Sequence, residues 1–144
     1  FTLRAVPDTP GVAYSILGPI AAANIEVDMI LQNLSVQGTT DFSFTVSRND
    51  ALRTKELLTN QVGPAVGAGE IVFDEAVCKV SIVGIGMRNH AGIASSMFRA
   101  LSEEGINIQM ISTSEIKTSV IIADKYMELA VRALHKTFEL DQEK

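Results

Sequence analysis

Tryptophan is absent from this chain and aromatic residues make up only 6% of it, too few for the stacked-ring platforms that hold single-stranded nucleic acid. Positive charge is in deficit. Twelve Lys and Arg stand against seventeen Asp and Glu, for a net charge of −5, the opposite of a phosphate-binding footprint. A nucleic-acid partner is therefore excluded. Cys78 is the single cysteine, so no internal disulfide can form and a reducing compartment, the cytoplasm, is expected. The two histidines, His90 and His135, fall in different segments with no Cys or paired carboxylate at ligand spacing, so no metal site is expected. No apolar run approaches the roughly 20 residues of a membrane span, and no signal-peptide pattern is present. The sequence opens at Phe1 without a Met, already in a strand-like alternation, which predicts a piece of something longer.

What is abundant is apolar residue, at 47% against 20% charged, and it is arranged twice. FTLRAV (1–6) echoes VSIVGI (80–85), DTPGVA (8–13) echoes NHAGIA (89–94), and NIEVDMI (24–30) echoes GINIQMI (105–111). From Asp8 to Asn33 the copies align without a gap against Asn89 to Ser114. An internal repeat has to be recognised before any fold is assigned. Each half has roughly 70 residues, a size at which a lone core is marginal. The division falls at 1–76 and 77–144, and the halves are expected to pack on each other or on a partner chain. A duplicated scaffold favours paired binding sites over a single catalytic constellation.

Within the first copy, Phe1, Leu3 and Ala5 alternate with Thr2, Arg4 and Val6, predicting a strand. Val12, Ile16, Leu17 and Ile20 follow at helical spacing, with Asp8 or Thr9 as the expected cap. Ile25 to Gln32 alternates as a second strand, Gln37-Gly38 turns the chain, and Phe42, Phe44 and Val46 mark its hairpin partner. Ser47 to Asp50 caps a second helix carrying Leu52, Leu57 and Leu58. Gly63 to Gly69 is expected as a loop, with Ile71 to Phe73 as a fourth strand. The second copy repeats the order from Val77, with Gly105 ending its first helix. A stripe of Leu129, Ala130, Ala133, Leu134 and Phe138 marks the last helix. FELDQEK offers no fourth strand, so the second sheet has either an open edge or a strand supplied from before Phe1. The order βαββαβ predicts an α+β fold, with two ferredoxin-like units, antiparallel sheets and helices on one face. That fold implies no function by itself.

The matched turns Asp8 to Ala13 and Asn89 to Ala94 carry the chemistry. Each joins a strand to a helix start, where backbone N–H groups lack intrahelical partners and the helix dipole favours an anion. Gly11 and Gly92 lack a Cβ and admit close approach to the backbone. Asp8 adds a charge for an ammonium group. A carboxylate receptor beside an ammonium receptor suits a free α-amino acid. The competing reading makes Asp8 and Asn89 ordinary helix caps and the glycines ordinary turn residues. Repetition of the turn brings the two readings level. Gly84-Ile85-Gly86 fails as a nucleotide fingerprint, because Asn89 stands where its third glycine belongs and no Walker lysine follows. Ser112 to Glu115 has no nucleophile elbow. Met29, Met97 and Met110 fall at core-type positions.

The stretches VDMILQNLSVQGTTDFSFTV (27–46), VSIVGIGMRNHAGIASSMFRALSEEGINI (80–108) and GINIQMISTSEIKTSVII (105–122) closely resemble the regulatory region of aspartate kinase, two tandem ACT domains. The resemblance covers almost the whole chain. It implies an allosteric module for feedback inhibition by threonine, lysine or both, non-catalytic by itself. No cofactor is implied in this chain, since ATP and Mg would belong to the absent catalytic domain. The effector would sit where the first unit of one chain meets the second unit of another. Asp8, Gly11, Val12, Ala13 and Gln32 would line it from the first unit, and Asn107 and Ile108 from the partner's second unit, with Ser35 and Ala94 nearby. The implied partners are a second copy of the chain and the catalytic domain or subunit. In that family the first unit is inserted within the second, so a segment before Phe1 would complete the second sheet. The alternatives are a regulatory subunit of another amino-acid pathway enzyme, such as acetolactate synthase, and an acylphosphatase-like enzyme using Arg88.

Overall fold

The structure is a computed structural model that describes residues 1–33, 37–83, 90–114 and 116–138, with His90 and Ala91 through their backbone. It divides into two compact units, Phe1–Glu75 and Ala76–Lys144.

The first unit runs β1 (Thr2–Pro7), α1 (Val12–Ala22), β2 (Val27–Gln32), β3 (Thr39–Val46), α2 (Ala51–Leu57), α3 (Gly63–Val66) and β4 (Glu70–Val72). Its sheet has the order β2-β3-β1-β4 with every neighbouring pair antiparallel, the split βαβ arrangement expected from the repeat. Alternation along β3 sends Phe42 and Phe44 inward, and the helical spacing of Val12, Ile16 and Ile20 turns one face of α1 onto them. Phe42 and Phe44 are fully buried, each contributing about 1.5–3 kcal/mol by transfer out of water. Gln37 and Gly38, the last residues before β3, both have positive φ (56° and 81°), a turn backbone that glycine adopts without strain.

Two local expectations fail here. Val6, placed by alternation on the face opposite Leu3, is fully buried with Leu3, while Ala5 is exposed. An extra residue in β1 between Leu3 and Val6 causes this, since Leu3 pairs with Phe42 and Val6 with Thr40. The expected loop from Gly63 is helical instead. After α2 the chain widens into a π-helical stretch, Leu58–Val62, and continues into α3. Pro64 breaks nothing because it lies at the start of that helical turn, where a missing N–H is harmless. Gly67, with φ 71°, ends the run. Leu58 and Val62 are both fully buried as a result. Ser47 caps the 3-10 turn Arg48–Asp50 that leads into α2, its side chain accepting from the Asn49 amide at 3.3 Å, while α2 itself has no side-chain cap at Asp50.

The second unit runs β5 (Val77–Val83), α4 (His90–Glu103), β6 (Ile108–Thr113), β7 (Lys117–Ala123) and α5 (Met127–Thr137). Its three strands lie in the order β5-β7-β6, and no fourth strand occurs among the described residues. Residues 139–144, most of the FELDQEK tail, lie outside them. Val80, Met97, Leu101, Val120, Ile122, Ala130 and Leu134 form the core. Gly105 takes φ 72° after α4, as a helix-terminating glycine should. Met29 and Met97 are buried as expected, but Met110 only partly. No helix of the described residues is long and apolar enough to cross a membrane.

Candidate functional site

The turn between β1 and α1 is held by backbone alone. The Asp8 amide donates to Gly38 O at 2.9 Å, Thr9 N to Pro7 O at 3.1 Å, and Val12 N to Thr9 O at 3.2 Å. Gly11 is the N-cap of α1, in the left-handed region at φ 87°, and the helix has no side-chain cap hydrogen bond and no acidic residue in its first turn. Neither Asp8 nor Thr9 therefore caps α1, contrary to the sequence expectation. The chain enters the helix through a left-handed glycine, which moves Asp8 too far back along the turn to reach the cap position. Asp8 is exposed. Among the described residues no backbone hydrogen bond is shown for the amides of Gly11 and Ala13. A Cβ built on Gly11 would meet nothing within 4 Å, so the space above it is open. The positive end of α1 thus keeps the Gly11 and Ala13 donors unspent among the described residues, with the exposed Asp8 in the same turn.

Gln32 ends β2 and pairs with Phe42. Since β1 and β2 are both antiparallel to β3, they end at the same end of the sheet. Asp8, Gly11, Val12, Ala13 and Gln32 therefore gather there, with the start of β3 between them. Asn33 N donates to Asp41 O at 3.1 Å, and Thr40 Oγ1 donates to Asn33 O at 2.5 Å, fixing the β2 end to β3. Ser35 lies outside the described residues, as do Arg88 and Asn89.

In the second unit Ala94 is half-buried near the start of α4. Asn107 is exposed just ahead of β6, and Ile108, half-buried, pairs with Ile122. Ile122 also pairs with Cys78 at the beginning of β5, whereas α4 follows the end of β5. Asn107 and Ile108 therefore lie at the opposite end of their sheet from the start of α4, and this unit does not bring them together with Ala94. His90, expected in a turn, is the first residue of α4; His135 is exposed on α5, as expected. No group of His, Cys, Asp and Glu that could hold a metal occurs among the described residues. A groove of ≈ 320 Å³ lined by Ala23, Ile25, Arg53, Glu56, Leu57 and Asn60 lies by the other end of α1, away from the turn.

Sequence reasoning missed Asp41. Its Oδ1 accepts from the Ala5 amide at 3.0 Å, in the strand that leads into the turn. The available signal was the odd spacing of Leu3 and Val6, two strong core residues that simple alternation cannot place on one face.

The sequence profile of the ACT domain matches residues 4–62 and again 80–138, one match per repeat. A crystal structure of aspartokinase alpha and beta subunits superposes with a TM-score of 0.89 at 62% identity, covering 96% of this chain and 90% of that one. The chain belongs to the ACT-domain family, among the regulatory regions of aspartate kinases. A second likeness is the ligand-free regulatory subunit of aspartate kinase from Thermus thermophilus, with a TM-score of 0.88 at 37% identity, covering 95% of this chain and 89% of that one. Among curated relatives, the aspartokinase of Pseudomonas aeruginosa is 65% identical over 140 residues, 97% of this chain and 34% of that protein. This ACT-domain chain therefore spans about a third of the length of the curated relatives it matches. The two ACT repeats coincide with the two units of the fold, and the turn at Asp8 belongs to the first.

Proposed function

We propose that this chain is the effector-sensing part of an aspartate kinase and that it binds a free amino acid at the Asp8–Ala13 turn, threonine first and lysine second. The observation that carries the reading is the start of α1. Among the described residues no backbone hydrogen bond takes up the Gly11 and Ala13 amides, the space above Gly11 is open, and Asp8 stands three residues before Gly11 in the same turn. Those donors suit an α-carboxylate, and Asp8 suits an α-ammonium through a charge-assisted contact. Gln32 at the same end of the sheet is neutral and hydrogen-bonding, better matched to a hydroxyl than to a second ammonium. Ser35 belongs to the same set. Asn107 and Ile108 of a second copy complete the pocket, without Ala94, which lies at the other end of that unit, so binding and pairing of copies support each other.

The effector acts on an attached catalytic domain or subunit, where ATP and Mg would be handled. It shifts that partner only through unequal affinity for the active and inactive arrangements. Calorimetric titration of the chain with each of the twenty amino acids tests the reading. Saturable heat with threonine, and weaker heat with lysine, supports it. Saturation only by a branched-chain amino acid would point to a different pathway enzyme, and no heat with any would remove the sensing role.

A further inference from the structure

The strand that delivers the turn of the first unit is irregular. Between Leu3 and Val6, β1 advances three residues while β3 advances two, from Phe42 to Thr40. The extra residue is accommodated at Ala5, which sits at φ 54°, a conformation that costs any residue with a Cβ. Its amide points at the Asp41 side chain, Oδ1 at 3.0 Å. On the other edge Gly69 N donates to Arg4 O at 2.8 Å. Beyond this point every backbone pairing is made in the shifted register: Val6 with Thr40, Pro7 with Thr39, and Asp8 N to Gly38 O.

In the second unit the first strand is described only up to Val83, and Gly84 and Ile85, the counterparts of Ala5 and Val6 in the repeat, lie outside the described residues. β5 and β7 pair residue for residue from Val77 with Ala123 to Val83 with Lys117, with no shift. There Ser81 and Ser119 meet through their hydroxyls at 2.6 Å, as Thr2 and Ser43 do at 2.8 Å in the first unit. The other irregularity is shared by both units, between Val27 and Ile30 in one and between Ile108 and Met110 in the other. The duplication has thus kept one bulge in common, and the bulge of β1 stands immediately before the turn at Asp8.

We infer that Asp41 is a positioning residue for the effector turn: by holding the Ala5 amide it sustains the bulge whose one-residue shift sets where Asp8 and Gly11–Ala13 stand. The inference rests on the reading of that turn as the amino-acid site. Bulges re-aim side chains beside functional sites in this way. Asp41 itself touches no effector.

The test compares Asp41→Ala, Asp41→Asn, the double variant Ala5→Gly/Asp41→Ala and Asp8→Ala in the whole chain. Two readouts are used, the backbone NMR shifts of residues 6–13 without ligand and the threonine affinity. Asp41→Ala should move those shifts and weaken threonine roughly tenfold, the scale of losing a hydrogen bond to a charged group. Asp41→Asn keeps an acceptor oxygen, and Ala5→Gly removes the left-handed cost; each should restore both readouts to within about twofold. If Asp41→Ala leaves the shifts in place, the positioning role is wrong whatever threonine does. It is equally wrong if the shifts move and Asp8→Ala weakens threonine while Asp41→Ala does not. If the shifts move and return as described but Asp8→Ala also leaves threonine binding unaltered, Asp41 does set the turn and the assignment of the turn as the effector site has failed.

Discussion

Gly11 and two threonines show how far single side chains decide this fold. Gly11 has open space where a Cβ would go, so its cost of replacement is conformational only, at φ 87°. Gly11→Ala should lose about 1–2 kcal/mol of stability in denaturant unfolding, and the strain should weaken threonine binding as well. A stability equal to that of the parent would mean that the turn relaxes into an ordinary cap. Thr40 and Thr118 are both buried hydroxyls in the middle strands of their sheets, yet Thr40 donates to Asn33 O and the Thr118 hydroxyl has no partner among the described residues. Thr118→Val removes an unpartnered buried polar atom and should leave the protein at least as stable. Thr40→Val should cost about 1 kcal/mol. Urea midpoints that fall equally for both would show that Thr118 has a bonding partner after all.

At the scale of elements, the π-helical stretch Leu58–Val62 is where glycine is required by space. The Gly63 amide donates to Leu58 O across the widened turn. A Cβ on Gly63 would lie 2.8 Å from that oxygen and 2.7 Å from Ile71 Cδ1 of β4. Gly63→Ala should therefore destabilise by about 1–3 kcal/mol through overpacking, checked by thermal unfolding; an unchanged midpoint would mean that the helix can revert to α geometry without loss. This element was not legible in the sequence, because Gly63-Pro64 reads as a breaker and only the tertiary position shows it beginning a helical turn. The strands and helices of both copies were legible. Phe42 and Phe44 alternate on β3, Val12, Ile16 and Ile20 recur at helical spacing, and the repeat supplies each argument twice. Ala5 and Val6 were not. A bulge inverts alternation at one point, and only the partner strand reveals it. The glycine turn of the site was also legible, but the absence of any Asp8 cap was not, since Asp is a good cap by residue type and loses that role here through the left-handed Gly11.

For the whole molecule, two apolar units of marginal size predict a homodimer or pairing with the catalytic partner. Sedimentation at low micromolar concentration should give a dimer, and a folded monomer there would count against a pocket shared between copies. The pure chain should not phosphorylate aspartate with MgATP, because its sequence carries no phosphate-cradling lysine motif; measurable turnover would overturn the proposed sensing role. The most direct test of the central claim is threonine titration of the parent chain and of Asp8→Ala, with thermal unfolding of both. Asp8 makes no cap to α1, so its loss should leave the unfolding midpoint nearly unchanged while weakening threonine by roughly 1–3 kcal/mol, the value of a contact to a charged group. A variant that binds threonine as tightly as the parent, or a parent that binds none, would contradict the assignment of this turn as the effector site.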